Sequence, residues 1–177
     1  MPISIYFPGN CYYSTGGIQL DHERFLNDAI HLATDSVFQG GGPYGAIIVR
    51  DGEIIASGVN SVDVDHDPSA HAELVAIREA CRIIASTDLS DTILYASGEP
   101  CPMCLAAAYQ ARVGEIYYAC SKKEAMEVLP KPDKVKHFYS DQDKAGAMRD
   151  VPFIHLETTH KLEPFIAASN QQSNSPN

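Results

Sequence analysis

Ile93-Leu94-Tyr95-Ala96-Ser97-Gly98-Glu99-Pro100-Cys101-Pro102-Met103-Cys104 is the stretch on which the fold turns. It opens as a short apolar strand and closes as the start of a helix. Pro102 suits a first helical position, where its missing donor costs nothing. Cys101 is then the residue just before the helix, and Cys104 belongs to its first turn. Both thiols face a helix N-terminus, which favours thiolate and hence metal ligation. Ligands placed where a strand hands over to a helix are usual for sites in α/β proteins.

His71-Ala72-Glu73 supplies the rest of the site. Apolar positions Ala70, Leu74, Ile77, Cys81 and Ile84 give helical spacing over 70–85. His71 and Glu73 thus share one first turn and can reach one small volume. One imidazole and two thiolates, His71, Cys101 and Cys104, make a three-ligand zinc site. A closed structural site takes four protein ligands, whereas a catalytic one keeps a position for water. Glu73 is placed to shuttle the protons of a zinc-activated water. Cys-x-x-Cys alone also occurs in redox motifs and zinc ribbons, so a dithiol redox pair and a structural zinc knuckle are the competing readings.

Outward from this centre, Asp21 caps a helix to about residue 38, with Phe25, Ala29, Leu32 and Ser36 on its buried stripe. His22 and His31 fall off that stripe and are expected in solvent. Residues 44–49 and 53–59 read as antiparallel strands joined by Asp51-Gly52, a type I′ hairpin signal. Asn60 follows, as a turn residue or a substrate-binding amide. Residues 61–69 form a polar, acidic loop, and His66 within it is not needed as a ligand. Glu99 is a polar rim residue or a substrate contact, whereas Met103 and Leu105 are packing residues. Residues 115–120 read as a strand, 122–129 and 162–168 as short helices, and 151–157 as a last strand. The order implies a three-layer α/β/α sandwich with a mixed five-stranded central sheet. Residues 1–20 read as an irregular aromatic extension, 21–168 as one domain and 169–177 as a disordered tail.

A chain of 177 residues can bury a core without disulfides. No apolar run is long enough to cross a membrane. Residues 1–17 lack a basic segment followed by a long apolar one, so no secretory signal is expected. The five cysteines are odd in number; Cys81 and Cys120 fit core positions, and a reducing, cytoplasmic setting follows. A net charge of −10 repels phosphate backbones and argues against nucleic acid as the partner.

With His71-Ala72-Glu73, Pro100-Cys101-Pro102-Met103-Cys104 and Gly42-Pro43-Tyr44-Gly45-Ala46 in hand, residues 21–168 resemble the cytidine deaminase superfamily. The similarity extends to Asp67-Pro68-Ser69-Ala70 and to Ala76-Ile77-Arg78-Glu79-Ala80-Cys81, and in that detail it is closest to the guanine deaminase branch, as is Leu162-Glu163-Pro164-Phe165. The resemblance implies a Zn2+ enzyme acting on a small nucleobase. It implies a homodimer, with C-terminal segments exchanged in some members. It implies Asn60 as a base-binding amide, Tyr44 as the stacking aromatic and the Ala72 backbone as a contact to the base edge. A second proton carrier aligns to Asp133 across a small insertion. Three features depart from the pattern: Gly98 stands where Cys is common, Gln110 where an aromatic closes the pocket, and the terminal tyrosine is absent.

The expected reaction is guanine to xanthine plus ammonia. Guanosine, cytosine or an aminotriazine such as ammeline are alternative substrates. tRNA adenosine deamination is a second enzymatic reading, and a structural-zinc binding module is the reading without catalysis.

Overall fold

The computed structural model describes residues 20–129, 144–145, 148–149, 151–152 and 154–173. Contacts divide the chain into two compact units, one ending at residue 130 and the other beginning at 131.

In the first unit, α1 (His22–Phe38) is followed by strands β1 (Gly45–Arg50) and β2 (Glu53–Val59). A one-turn helix α2 (Val62–Asp65) leads to α3 (Ala72–Ile83), β3 (Ile93–Gly98), α4 (Pro102–Gln110), β4 (Glu115–Cys120) and α5 (Lys122–Val128). Asp21 caps α1 through Arg24 N–H at 3.0 Å. Asp51 and Gly52 both take positive φ, 51° and 81°, as a type I′ hairpin requires. The residue pattern of 61–69 gave no sign of α2, whose single turn holds no buried side chain.

The sheet order is β2-β1-β3-β4, with β1 antiparallel to both neighbours and β3 parallel to β4. The sheet is therefore mixed, and among the described residues it has four strands rather than the five expected. Helices cover both faces. On one, Phe25 of α1 packs with Ile47, Val49 and Tyr95. On the other, Ala72, Ala76, Ile77 and Ala80 of α3 and Ala108 of α4 pack with Ala46, Ile48, Ala56 and Leu94. The alternation Ala46/Ile47/Ile48/Val49 divides β1 between the two cores. Covered on both sides, β1 and β3 read as continuous apolar runs. Burying each large aliphatic side chain here stabilises the fold by roughly 1.5–3 kcal/mol.

Small residues let α3 sit close to β2. A Cβ at Gly58 would lie 2.3 Å from the Ala72 carbonyl and 2.6 Å from the Ala76 nitrogen, both backbone atoms of the helix. The position of α3, and so of His71 and Glu73, depends on this missing side chain.

His22 does not face solvent as expected. Its Nδ1 lies 2.8 Å from the Tyr95 hydroxyl, and its ring stacks on Tyr117 at 4.4 Å between centroids. At the first turn of α1 the polypeptide is still over the sheet, so a residue off the helix stripe meets β3 and β4.

In the second unit the described element is α6 (Glu163–Ser173). It continues past residue 168 into the segment read as a tail. The described residues of 151–157 form no strand. Pro152 lacks a ladder donor, and Val151, Ile154 and Leu156 are all exposed, so the described residues of this run present no buried face of the kind that holds a strand in register.

Candidate metal centre

His71 and Cys101 occupy equivalent places on two helices. Each is the N-cap with extended backbone, His71 at φ −74°, ψ 148° on α3 and Cys101 at φ −72°, ψ 166° on α4. Pro102 follows at the head of α4, and Cys104 is buried in its first turn. Two helix starts therefore converge, with their unpaired N–H groups and positive dipole ends directed at one spot.

His71 Nδ1 lies 3.5 Å from Cys101 Sγ and 3.6 Å from Cys104 Sγ, and the sulfurs are 3.5 Å apart. Tetrahedral zinc with Zn–S of about 2.3 Å and Zn–N of about 2.0 Å requires edges of about 3.5 Å between sulfur and nitrogen and about 3.8 Å between the sulfurs. The three donors fit that ion. Among the described residues the cluster has these three members and no fourth; His66 is not part of it.

The charges suit a divalent cation. The Cys101 thiol is lowered to about 4 by hydrogen bonding with Cys104 and then with His71, while Cys104, its coupled neighbour, is raised. His71 is raised, first by Cys101. The pair of thiols thus releases its first proton readily, as metal ligation requires.

Glu73 lies one residue into α3 beyond Ala72 and is 7 % exposed. Burial pushes its carboxyl up, against hydrogen bonds from its own backbone and the Cys104 side chain. Proton transfer is most efficient when a carboxyl is tuned toward the working pH. The loop leading into His71 is pinned to α3. Asp67 accepts from Ser69 N–H at 2.8 Å and Ser69 O–H at 2.6 Å, and Arg78 donates to Ser69 Oγ at 3.1 Å.

Asn60 ties the end of β2 to the segment that leads into β1. Its carbonyl accepts from Gly42 N–H at 2.9 Å, and its N–H donates to the Tyr44 carbonyl at 3.0 Å. Its Oδ1 lies where a Gly42 Cβ would come within 2.7 Å. Tyr44 is 37 % exposed, with its ring against Gly98 at the end of β3. Ala72 is fully buried at the first position of α3. Asp133 lies outside the described residues.

Two positioning residues escaped the sequence reading. Glu99, read as rim or substrate contact, accepts from Lys122 N–H at 2.8 Å and so caps α5, tying the segment before Cys101 to that helix. Ser97 Oγ accepts from Gly45 N–H at 3.0 Å inside the core. Both contacts join residues far apart in sequence, and no local pattern announces them.

Residues 19–120 match the model of the cytidine and deoxycytidylate deaminase zinc-binding region. The chain is 45% identical over 152 residues to the guanine deaminase of Bacillus subtilis, covering 85% of this chain and 96% of that protein. The crystal structure of guanine deaminase from Bacillus subtilis superposes with a TM-score of 0.79 at 43% identity, over 89% of this chain and 99% of that one. A tRNA-specific adenosine deaminase from Aquifex aeolicus is 41% identical over 102 residues, 58% of this chain and 68% of that protein.

Proposed function

The chain belongs to the family of the cytidine and deoxycytidylate deaminase zinc-binding region, and on that premise we propose that it hydrolyses guanine to xanthine and ammonia. The observation that carries the reading is a zinc-shaped set of donors, 3.5–3.6 Å apart, with a buried carboxylate two residues from the histidine. The resemblance to guanine deaminase runs over 85% of the chain, whereas that to the tRNA-specific adenosine deaminase of Aquifex aeolicus covers 58% of it.

His71, Cys101 and Cys104 would hold the zinc. Bound there, the ion supplies Lewis acidity that brings the pKa of coordinated water to about 7. Glu73 takes the proton that the attacking water gives up and passes it to the ring nitrogen beside the amino-bearing carbon. It then carries the second proton to the amino group, whose bond to carbon breaks as ammonia leaves. Asp133 is assigned to the same departure on the resemblance alone. The Asn60 amide has no hydrogen-bond partner among the described residues and is free to read a base edge. The Ala72 backbone at the head of α3 does the same, and Tyr44 stacks on the ring.

The enzyme works as a homodimer with exchanged C-terminal segments. Two features support this: α4 carries no charged side chain yet exposes Met103, Leu105 and Tyr109, and Met148, Val151, Ile154, Leu156, Leu162, Phe165 and Ile166 are exposed along the C-terminal unit. None of the described helices is long and apolar enough to cross a membrane. Thiolate ligands favour a reducing, cytoplasmic compartment.

An ammonia-release assay on zinc-loaded protein tests the assignment, with guanine, guanosine, adenine, cytosine, cytidine, ammeline and a tRNA anticodon stem-loop as substrates. Guanine is expected to give the highest kcat/KM. A higher value for any other substrate overturns it.

A further inference from the structure

The register that pairs Ala46 with Ala96 runs antiparallel along β1 and β3. Followed two residues further, it brings Tyr44 opposite Gly98. A Cβ at Gly98 would lie 2.9 Å from Tyr44 Cε1 and 3.0 Å from Cδ1, and the next atom it would meet is the Cys120 carbonyl at 3.8 Å. The backbone does not ask for glycine at this position, because the glycines with positive φ are Gly40 and Gly52. What Gly98 provides is room for the ring.

The Cδ1–Cε1 edge of the ring lies against the Gly98 backbone, and Tyr44 remains 37 % exposed. Gly98 itself is buried, at the end of the strand that leads into Cys101. The Tyr44 backbone is fixed by its carbonyl hydrogen bond from Asn60, and the next residue is held by Ser97 Oγ. A side chain added at 98 therefore turns the Tyr44 ring about its χ angles before it moves the strand.

We propose that Gly98 and Tyr44 act as one specificity-determining unit, in which the absence of a side chain at 98 sets the plane of the Tyr44 ring against which the base lies. Gly98 is a positioning residue and acts through the ring. The inference rests on the reading of Tyr44 as the stacking aromatic. It adds that the Gly98 departure from the family pattern is coupled to this tyrosine.

The test is a double-mutant cycle on the zinc-loaded enzyme, with KM and kcat for guanine, inhibition by the product xanthine, and zinc stoichiometry as readouts. Gly98→Ala is expected to raise KM and weaken xanthine inhibition about five-fold, the scale of one disturbed aromatic contact, with kcat and zinc content retained. Tyr44→Ala is expected to raise KM and weaken xanthine inhibition by a similar factor. In the Tyr44→Ala background, where the clash is relieved, Gly98→Ala should add nothing. An undiminished Gly98→Ala effect in that background overturns the coupling. A Tyr44→Ala loss without any Gly98→Ala effect also overturns it, and leaves the stacking role intact. If Tyr44→Ala changes neither constant, the stacking role falls and the coupling with it.

Discussion

Gly58→Ala tests whether the closeness of α3 to β2 is what places His71 and Glu73. The added methyl would sit 2.3 Å from the Ala72 carbonyl and 2.6 Å from the Ala76 nitrogen. Ordinary contact demands about 1 Å more. Neither atom can rotate away, since both belong to the backbone of α3, so the helix must retreat as a body. Overpacking of this kind costs about 1–3 kcal/mol. The gain from a less flexible unfolded chain, about 0.4–1 kcal/mol, offsets part of that, and a net loss of about 1–2 kcal/mol is expected. Turnover should suffer more than stability. His71 and Glu73 ride on the first turn of α3, and a 1 Å misplacement of reacting groups costs on the order of 100-fold. Gly114→Ala is the control. Its Cβ would meet the Ser90 carbonyl at 2.7 Å and the Thr92 carbonyl at 3.0 Å, a similar clash beside no site residue. Urea denaturation read with kcat on zinc-saturated protein separates the two. The reasoning is refuted if Gly58→Ala keeps full kcat, or if Gly114→Ala loses as much turnover as Gly58→Ala does.

Glu73→Gln keeps volume and burial but cannot carry a proton, so zinc content should persist while kcat falls about 10²- to 10⁴-fold; ammonia release at the parental rate would remove Glu73 from the reaction. Cys104→Ser should abolish stoichiometric zinc, measured by elemental analysis. A chelator should likewise lower the unfolding midpoint of the parent, with restoration on adding zinc, because an ion that binds only the folded state at 1,000 times its Kd adds about 4 kcal/mol. Arg78→Ala removes a pair with Asp67 whose side chains are 49% and 42% exposed. Such a pair contributes at most about 1 kcal/mol, so a small shift in urea midpoint is expected, and a large one would mean that the loop before His71 depends on this contact.

The chemistry was legible in the chain because its signals are local. A proline after Cys101, a thiol three residues on, and a carboxylate two residues from His71 report their geometry through helix spacing alone. Asp21 as a cap and Asp51-Gly52 as a hairpin belong to the same class, since each is decided within four residues. The fifth strand failed for the complementary reason: β-structure needs a partner and a buried face, and the composition of 151–157 reveals neither. His22 was misplaced because a helix stripe identifies what packs beneath a helix but not what stands beside its first turn.

What the sequence by itself determined is the set of three donors and the elements α1, β1, β2, α3, β3, α4, β4 and α5 around them, all properties of residues within a turn or strand of one another. Tertiary structure alone decided that Gly58 admits α3 to the sheet, that Gly98 makes room for Tyr44, and that Glu99 caps a helix 23 residues away. These depend on the absence of an atom, or on the arrival of a distant backbone group. Steric room and long-range hydrogen bonds acquire a value only once the strands have paired, because only then is there a neighbour for a missing side chain to admit.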